Sequence, residues 1–193
     1  MSNKTYTTPV GTAFYPCLHT PETYEGNEVG YTCKLILSKE ETDRLEDLIM
    51  QTLEKAKTSP EFANKKWLNE PSIGTGETKE GEVYFKFKKK SSFISKKTKE
   101  LIRTHVPIFD SQGKPLPKDV VVGNGSRIRV AFSLLPFHMS KNNNGVSLRL
   151  EGVQVIELRQ GGVNAESLGF SKEEGYQAPE ETTPTFGNEG ADF

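Results

Sequence analysis

Between Val83 and Leu158 the chain is cut repeatedly by turn-forming clusters, and the stretches between them alternate apolar and polar residues. The clusters are Asp110-Ser-Gln-Gly113, Gly123-Asn-Gly125 and Lys141-Asn-Asn-Asn-Gly145. That spacing accommodates short antiparallel strands and no long helix. The alternation predicts strands over 83–93, 105–109, 119–122, 126–137 and 145–158. In the fourth, Ile128, Val130, Phe132 and Leu134 share one face, with Arg127, Arg129, Ala131 and Ser133 on the other. Phe132 therefore belongs to the core, and Phe137 has the opposite parity. Pro136 fits only on an edge or near a strand end. The last run changes phase near Gly152, as a β-bulge would.

Upstream, Val10–Tyr15 reads as a short extended segment and Pro21–Glu28 as a polar loop. Val29, Tyr31, Cys33, Leu35 and Leu37 recur at period two, a further strand. Ser38-Lys-Glu-Glu41 has the form of a capping box, and Leu45, Leu48, Ile49 and Leu53 follow at helical spacing. One amphipathic helix is predicted over 39–57, closed by Ser59-Pro60. Residues 61–82 read as loop, with Trp67 as a packing residue. Many short strands and one helix suit a small barrel, with the OB-fold among the leading candidates.

The whole chain of 193 residues is large enough to bury a core without metal or disulfide staples. Cys17 and Cys33 are expected to be free thiols in a reducing compartment. No apolar run approaches the ~20 residues of a membrane span, and the opening residues have no signal-peptide core. Only 34% of the residues are hydrophobic, and the pattern stops after Gly161. The division expected is a folded domain over 1–162 and a flexible, disordered acidic tail over 163–193.

Catalysis finds no support in the residues. His19, His105 and His138 lie in different segments without metal-ligand spacing, and no phosphate loop, nucleophile elbow or metalloprotease motif occurs. An enzyme is not expected, nor a cofactor or metal. The informative property is charge. The net value is -1, yet Lys79 to Arg149 holds fifteen Lys and Arg against five acids. Asn164 to Phe193 holds seven acids against Lys172 alone. A basic β body joined to an acidic end is the asymmetry of a nucleic-acid binder with a mimic attached.

Val83-Tyr-Phe-Lys-Phe-Lys-Lys-Lys90 concentrates that signal. As a strand it sends Val83, Phe85 and Phe87 to the core and Tyr84, Lys86, Lys88 and Lys90 outward. Ammonium groups beside a flat ring can follow phosphates and stack an unpaired base. Lys96, Lys97, Lys99 and Arg103 extend the charge in what reads as a loop, and the Arg127/Arg129 face adds to it. Phe137 is a candidate stacking ring.

Several motifs together resemble the single-stranded DNA-binding protein family of T7-type bacteriophages. They are Phe85-Lys-Phe-Lys88, Ser92-Phe93, Lys96-Lys-Thr-Lys-Glu100, Gly123-Asn-Gly-Ser-Arg-Ile-Arg-Val130 and Phe132-Ser-Leu-Leu-Pro-Phe137. Val10-Gly-Thr-Ala13, Gly26-Asn-Glu28 and Asp192-Phe193 match in the same order. The resemblance covers most of 4–160 and the last two residues.

It implies an OB-fold that coats single-stranded DNA in phage replication, recombination and repair, in the cytoplasm of an infected bacterium. It implies DNA contacts at the lysine-rich strand and the Ser-Leu-x-Pro strand, with Lys4 at the start of the matched stretch included. It further implies a tail in which Glu189, Asp192 and Phe193 contact the replicative polymerase and primase-helicase and compete with DNA, and a possible homodimer. The sequence departs from the family at Lys90, where a stacking Tyr is usual, and at Phe137-His138-Met139 in place of Tyr-Lys-Trp. Lysine then carries more of the binding, or Tyr84 supplies the missing ring. The rival readings are an adaptor of the replication machinery whose basic face meets an acidic protein, and an RNA chaperone on the same fold.

Overall fold

The computed structural model describes residues 4–159. The expected tail, with Glu189, Asp192 and Phe193, lies outside the described residues. Among the described residues the structure is mainly β with one helix. In order it forms β1 (Thr5–Thr7), β2 (Gly11–Tyr24), β3 (Asn27–Ile36), α1 (Lys39–Lys57), β4 (Thr75–Glu77) and β5 (Val83–Lys89). These are followed by β6 (Ser92–Ile94), β7 (Leu101–Arg103), β8 (Ile108–Phe109), β9 (Arg127–Ser140) and β10 (Asn143–Glu157).

The pairings run from β9 to β2, β3, β5 and β10, and β10 pairs with β9 again. That five-strand cycle is the OB arrangement expected. Its interior is built by period-two alternation. Leu35, Phe85, Phe87, Ile128, Val130, Phe132, Leu148 and Leu150 are almost completely buried, and Phe87 meets Phe132 edge-to-face at 5.2 Å. The face assigned to Ile128 through Leu134 is buried throughout. The phase change in β10 falls where predicted, a register shift between Leu150 and Gly152.

α1 matches its predicted bounds. Ser38 accepts from the Glu41 amide while the Glu41 carboxylate accepts from the Ser38 amide, so both halves of the capping box form. Thr42, Leu45, Ile49, Leu53 and Ala56 form its buried stripe, which packs toward β9 and β10.

Several expectations need correction. The extended segment at Val10 continues to Tyr24, so the expected loop shrinks to a Glu25-Gly26 turn. Both turn residues have positive φ, 49° and 80°, the geometry that joins two strands without splaying them. Residues 119–122 form no strand: Val122 is buried, but Pro117 and Gly123 bracket a segment that joins no ladder. In 105–109 only Ile108–Phe109 pairs, because Pro107 has no N–H and serves only as acceptor from Val153 at 3.0 Å. The run 83–93 breaks at Lys90-Ser91, and 92–103 is a hairpin rather than a loop. Val83 is exposed, since it lies at the strand's open end, where it pairs with Glu77 of β4. Beyond Ser133 the outer edge of β9 has no partner strand among the described residues, and Pro136 sits there.

Candidate nucleic-acid interface

Cross-strand register assembles the site on the outer face of the sheet. Thr32 of β3 stands opposite Lys88 of β5, Lys88 opposite Arg149 of β10, and Arg149 opposite Ser133 of β9. The adjacent row pairs Phe14 of β2 with Lys34 and Lys34 with Lys86, and Ser147 with Leu135 on the far strands. Phe85 and Phe87 occupy the interleaved inward positions. The apolar core thus fixes where each lysine emerges.

These strands floor a groove of about 610 Å³. Lys88, Lys89, Lys90 and Arg149 contribute four basic residues to its lining, Tyr31, Phe93, Val29 and Leu135 the apolar wall, and among the described residues no acid takes part. Gly30 (φ 134°) allows β3 to close on β5, because a Cβ there would lie 2.3 Å from the Lys89 carbonyl oxygen. Tyr31 donates to the Thr104 carbonyl at 3.0 Å, and the Thr104 hydroxyl donates to the Lys90 carbonyl. Those bonds tie the β6–β7 hairpin to the rim. Phe93 and Ile102 share the hairpin face beside the groove, and Phe93 is 49% exposed.

Acids outside the groove hold some cations loosely. Glu22 lies 3.8 Å from Lys86 and Glu28 3.7 Å from Arg103. Glu151 is 3.4 Å from Arg149 and accepts from Ser133 at 2.8 Å, which explains why Ser133 is buried despite its outward parity.

The residues singled out in the sequence are distributed unevenly around this groove. Lys88 and Lys90 line it. Lys86 flanks it on β5, and Lys96 and Lys97 are exposed in the hairpin turn. Tyr84 is half-buried: its ring lies 5.9 Å from Phe14, and Gly76 is so close that a Cβ there would approach the ring to 2.5 Å. Lys34 sits within 5.2 Å of the Tyr84 centroid and 5.5 Å of Phe14. Phe137 is half-buried on the same face of β9 as Leu135. Lys4 stands over the Tyr6 ring at 4.9 Å, away from the groove lining. Arg127 and Arg129 are exposed elsewhere on β9, where Arg129 borders a separate depression with Thr7, Phe109 and Gln154. They are not brought together with Lys88.

Phe93, Arg149, Lys89 and Tyr31 also line the groove and are not among the site residues the sequence predicts. The Ser92-Phe93 motif was a signal for the first, whereas Arg149 becomes visible only through its long-range pairing with Lys88. Trp67 packs as expected, edge-on to Phe62 at 5.6 Å and to His138 at 5.3 Å. Among the described residues Cys17 and Cys33 are free thiols, and burial with the nearby Cys17 pushes Cys33 up to about 12. Burial lowers the His19 imidazole.

Comparison with known proteins agrees with this geometry. The family model for the single-stranded DNA-binding protein of bacteriophage T7 matches residues 15–158. The single-stranded DNA-binding protein of Enterobacteria phage T3 is 36% identical over 104 residues, 52% of this chain and 45% of that protein. Its counterpart from Escherichia phage T7 is 36% identical over 101 residues, 51% of this chain and 44% of that protein. The matched stretches thus span less than half the length of these relatives. The crystal structure of gp2.5, a single-stranded DNA-binding protein encoded by bacteriophage T7, superposes with a TM-score of 0.70 at 30% identity. That superposition covers 92% of this chain and all of the other. The single-stranded DNA-binding protein of bacteriophage Enc34, in complex with ssDNA, shares the fold at TM-score 0.58 and 14% identity, over 82% of this chain and 89% of that one. The chain belongs to the bacteriophage T7 single-stranded DNA-binding protein family.

Proposed function

We propose that this protein binds single-stranded DNA without sequence preference and protects it during phage DNA replication and recombination, as a binding protein rather than an enzyme. The observation that carries the proposal is the groove itself: four basic residues, an exposed ring and, among the described residues, no acid, on the sheet of an OB-type fold. Cations can follow a phosphate backbone of any sequence, and a ring stacks on any base. Relatives named single-stranded DNA-binding proteins support the same reading. Lys88, Lys90 and Arg149 are the proposed phosphate contacts, with Lys86, Lys96 and Lys97 flanking them and Phe93 as a stacking ring.

The proposal extends to partners. Residues 1–162 serve as the DNA-binding domain and 163–193 as an acidic tail, in which Glu189, Asp192 and Phe193 engage the replicative polymerase and primase-helicase. The excess of acids from Asn164 onward supports such a competitor for the groove. Homodimer formation and a location in the host cytoplasm complete the reading.

The test is titration of the full chain with oligo-dT and oligo-U of equal length. Tight, sequence-indifferent binding of oligo-dT, weakened at least several-fold by Lys88→Ala or Arg149→Ala, is expected. No affinity for oligo-dT would overturn the proposal in favour of a protein adaptor. A clear preference for oligo-U would overturn it in favour of an RNA chaperone.

A further inference from the structure

We propose that Tyr15, braced by Phe14 and Tyr84, is a second nucleobase-stacking subsite at the end of the cationic strip opposite Phe93. It presupposes the single-strand binding proposed above and extends the path of the strand across the sheet. Tyr15 is 64% exposed, and its backbone is held at φ 44°. That conformation is unfavourable for a bulky residue, and a glycine would adopt it freely. β2 changes register between Phe14 and Cys17, so the bend itself has a structural purpose. A bend, however, needs no ring, and a ring left in water contributes little to the core. Strain and an exposed aromatic side chain coincide where the fold requires only the first.

The ring is fixed rather than loose. The Tyr15 amide donates to Asn124 Oδ1 at 2.8 Å, and Phe14 meets the Tyr15 ring edge-to-face at 4.7 Å. Phe14 in turn lies 5.9 Å from Tyr84, with the Lys34 ammonium over both rings. Tyr84 is covered by Gly76, so Tyr15 is the member of this cluster with an accessible face.

The cluster is joined to the groove by cations. Phe14, Lys34 and Lys86 stand opposite one another across β2, β3 and β5, and Lys88 follows Lys86 on the same face and leads to Arg149. The Lys86–Glu22 pair at 3.8 Å is half-exposed and weak enough for a phosphate to displace. From β2 through β3 and β5 to Arg149 on β10 is three strand spacings of about 4.8 Å, roughly 14 Å in all. A long oligonucleotide can occupy the groove and Tyr15 together, whereas a short one occupies only part of that path.

Two lengths of oligo-dT test the subsite with the full chain: about 4 and about 16 nucleotides, the bounds of OB-fold site sizes. Tyr15→Ala is expected to weaken the long oligomer roughly 5- to 150-fold, the effect of one stacked base, and to weaken the short one less. Tyr15→Phe, which keeps the ring, is expected to restore the long-oligomer affinity. Wild-type affinity of Tyr15→Ala for the long oligomer, or an equal loss for both lengths, would overturn the subsite while leaving the groove reading intact. Failure of the unaltered protein to bind either oligomer would instead overturn the groove reading and the subsite with it.

Discussion

Phe87 and Lys88 are neighbours in sequence and opposites in environment. The Phe87 side chain is fully buried against Phe132, whereas Lys88 opens onto the groove. Phe87→Ala leaves a cavity among rigid neighbours and is expected to cost about 3–5 kcal/mol of stability, read as a lower denaturant midpoint. Lys88→Ala is expected to leave that midpoint nearly unchanged. This division was legible because period two is a strict local rule. Tyr84 shows where the rule ends. Parity places it on the lysine face, as found, but only the long-range approach of Gly76 and Phe14 shows that its ring is half-covered. A residue's face is written locally; its cover is written by strands elsewhere in the chain.

Elements were legible where one local signal decides them. The α1 helix has a capping box, a stripe of apolar residues and a proline stop, and its bounds follow. The β6–β7 hairpin resembles a loop in sequence because each strand is three residues long and its middle is lysine-rich. Its order depends on tertiary anchors at Tyr31, Lys90 and Ser91, which no window along the sequence contains. The failed strand at 119–122 is the converse: Val120, Val121 and Val122 have strand propensity, and among the described residues no neighbouring edge pairs with them. The hairpin also bears a prediction. Phe93 lines the groove, so Phe93→Ala should weaken short and long oligo-dT alike, by the roughly 5- to 150-fold of one stacked base. An unchanged affinity for the short oligomer would remove the hairpin from the binding surface.

At the scale of the molecule, the near-neutral total conceals a strongly cationic outer face on β3, β5 and β10. Lys34, Lys86, Lys88, Lys90 and Arg149 lie along it, two of them held by Glu22 and Glu151. Arg127 and Arg129 carry equal charge but lie further along β9. Arg129 is four residues from Ser133, about 13 Å at 3.3 Å per residue, and borders another depression. Exposed charges so separated are screened beyond roughly 8–10 Å in physiological salt, so contact rather than sign decides which cations act. Each phosphate neutralised on a single strand contributes about -0.7 to the slope of log affinity against log salt. Four or five groove contacts therefore give a slope near -3, measurable by titrating oligo-dT at several salt concentrations. Lys88→Ala should reduce the magnitude of that slope by about 0.7, and Arg129→Ala should leave it unchanged. If the Arg129 variant flattened the slope and the Lys88 variant did not, the strand would run along β9 instead of across the sheet, and the groove would not be its path.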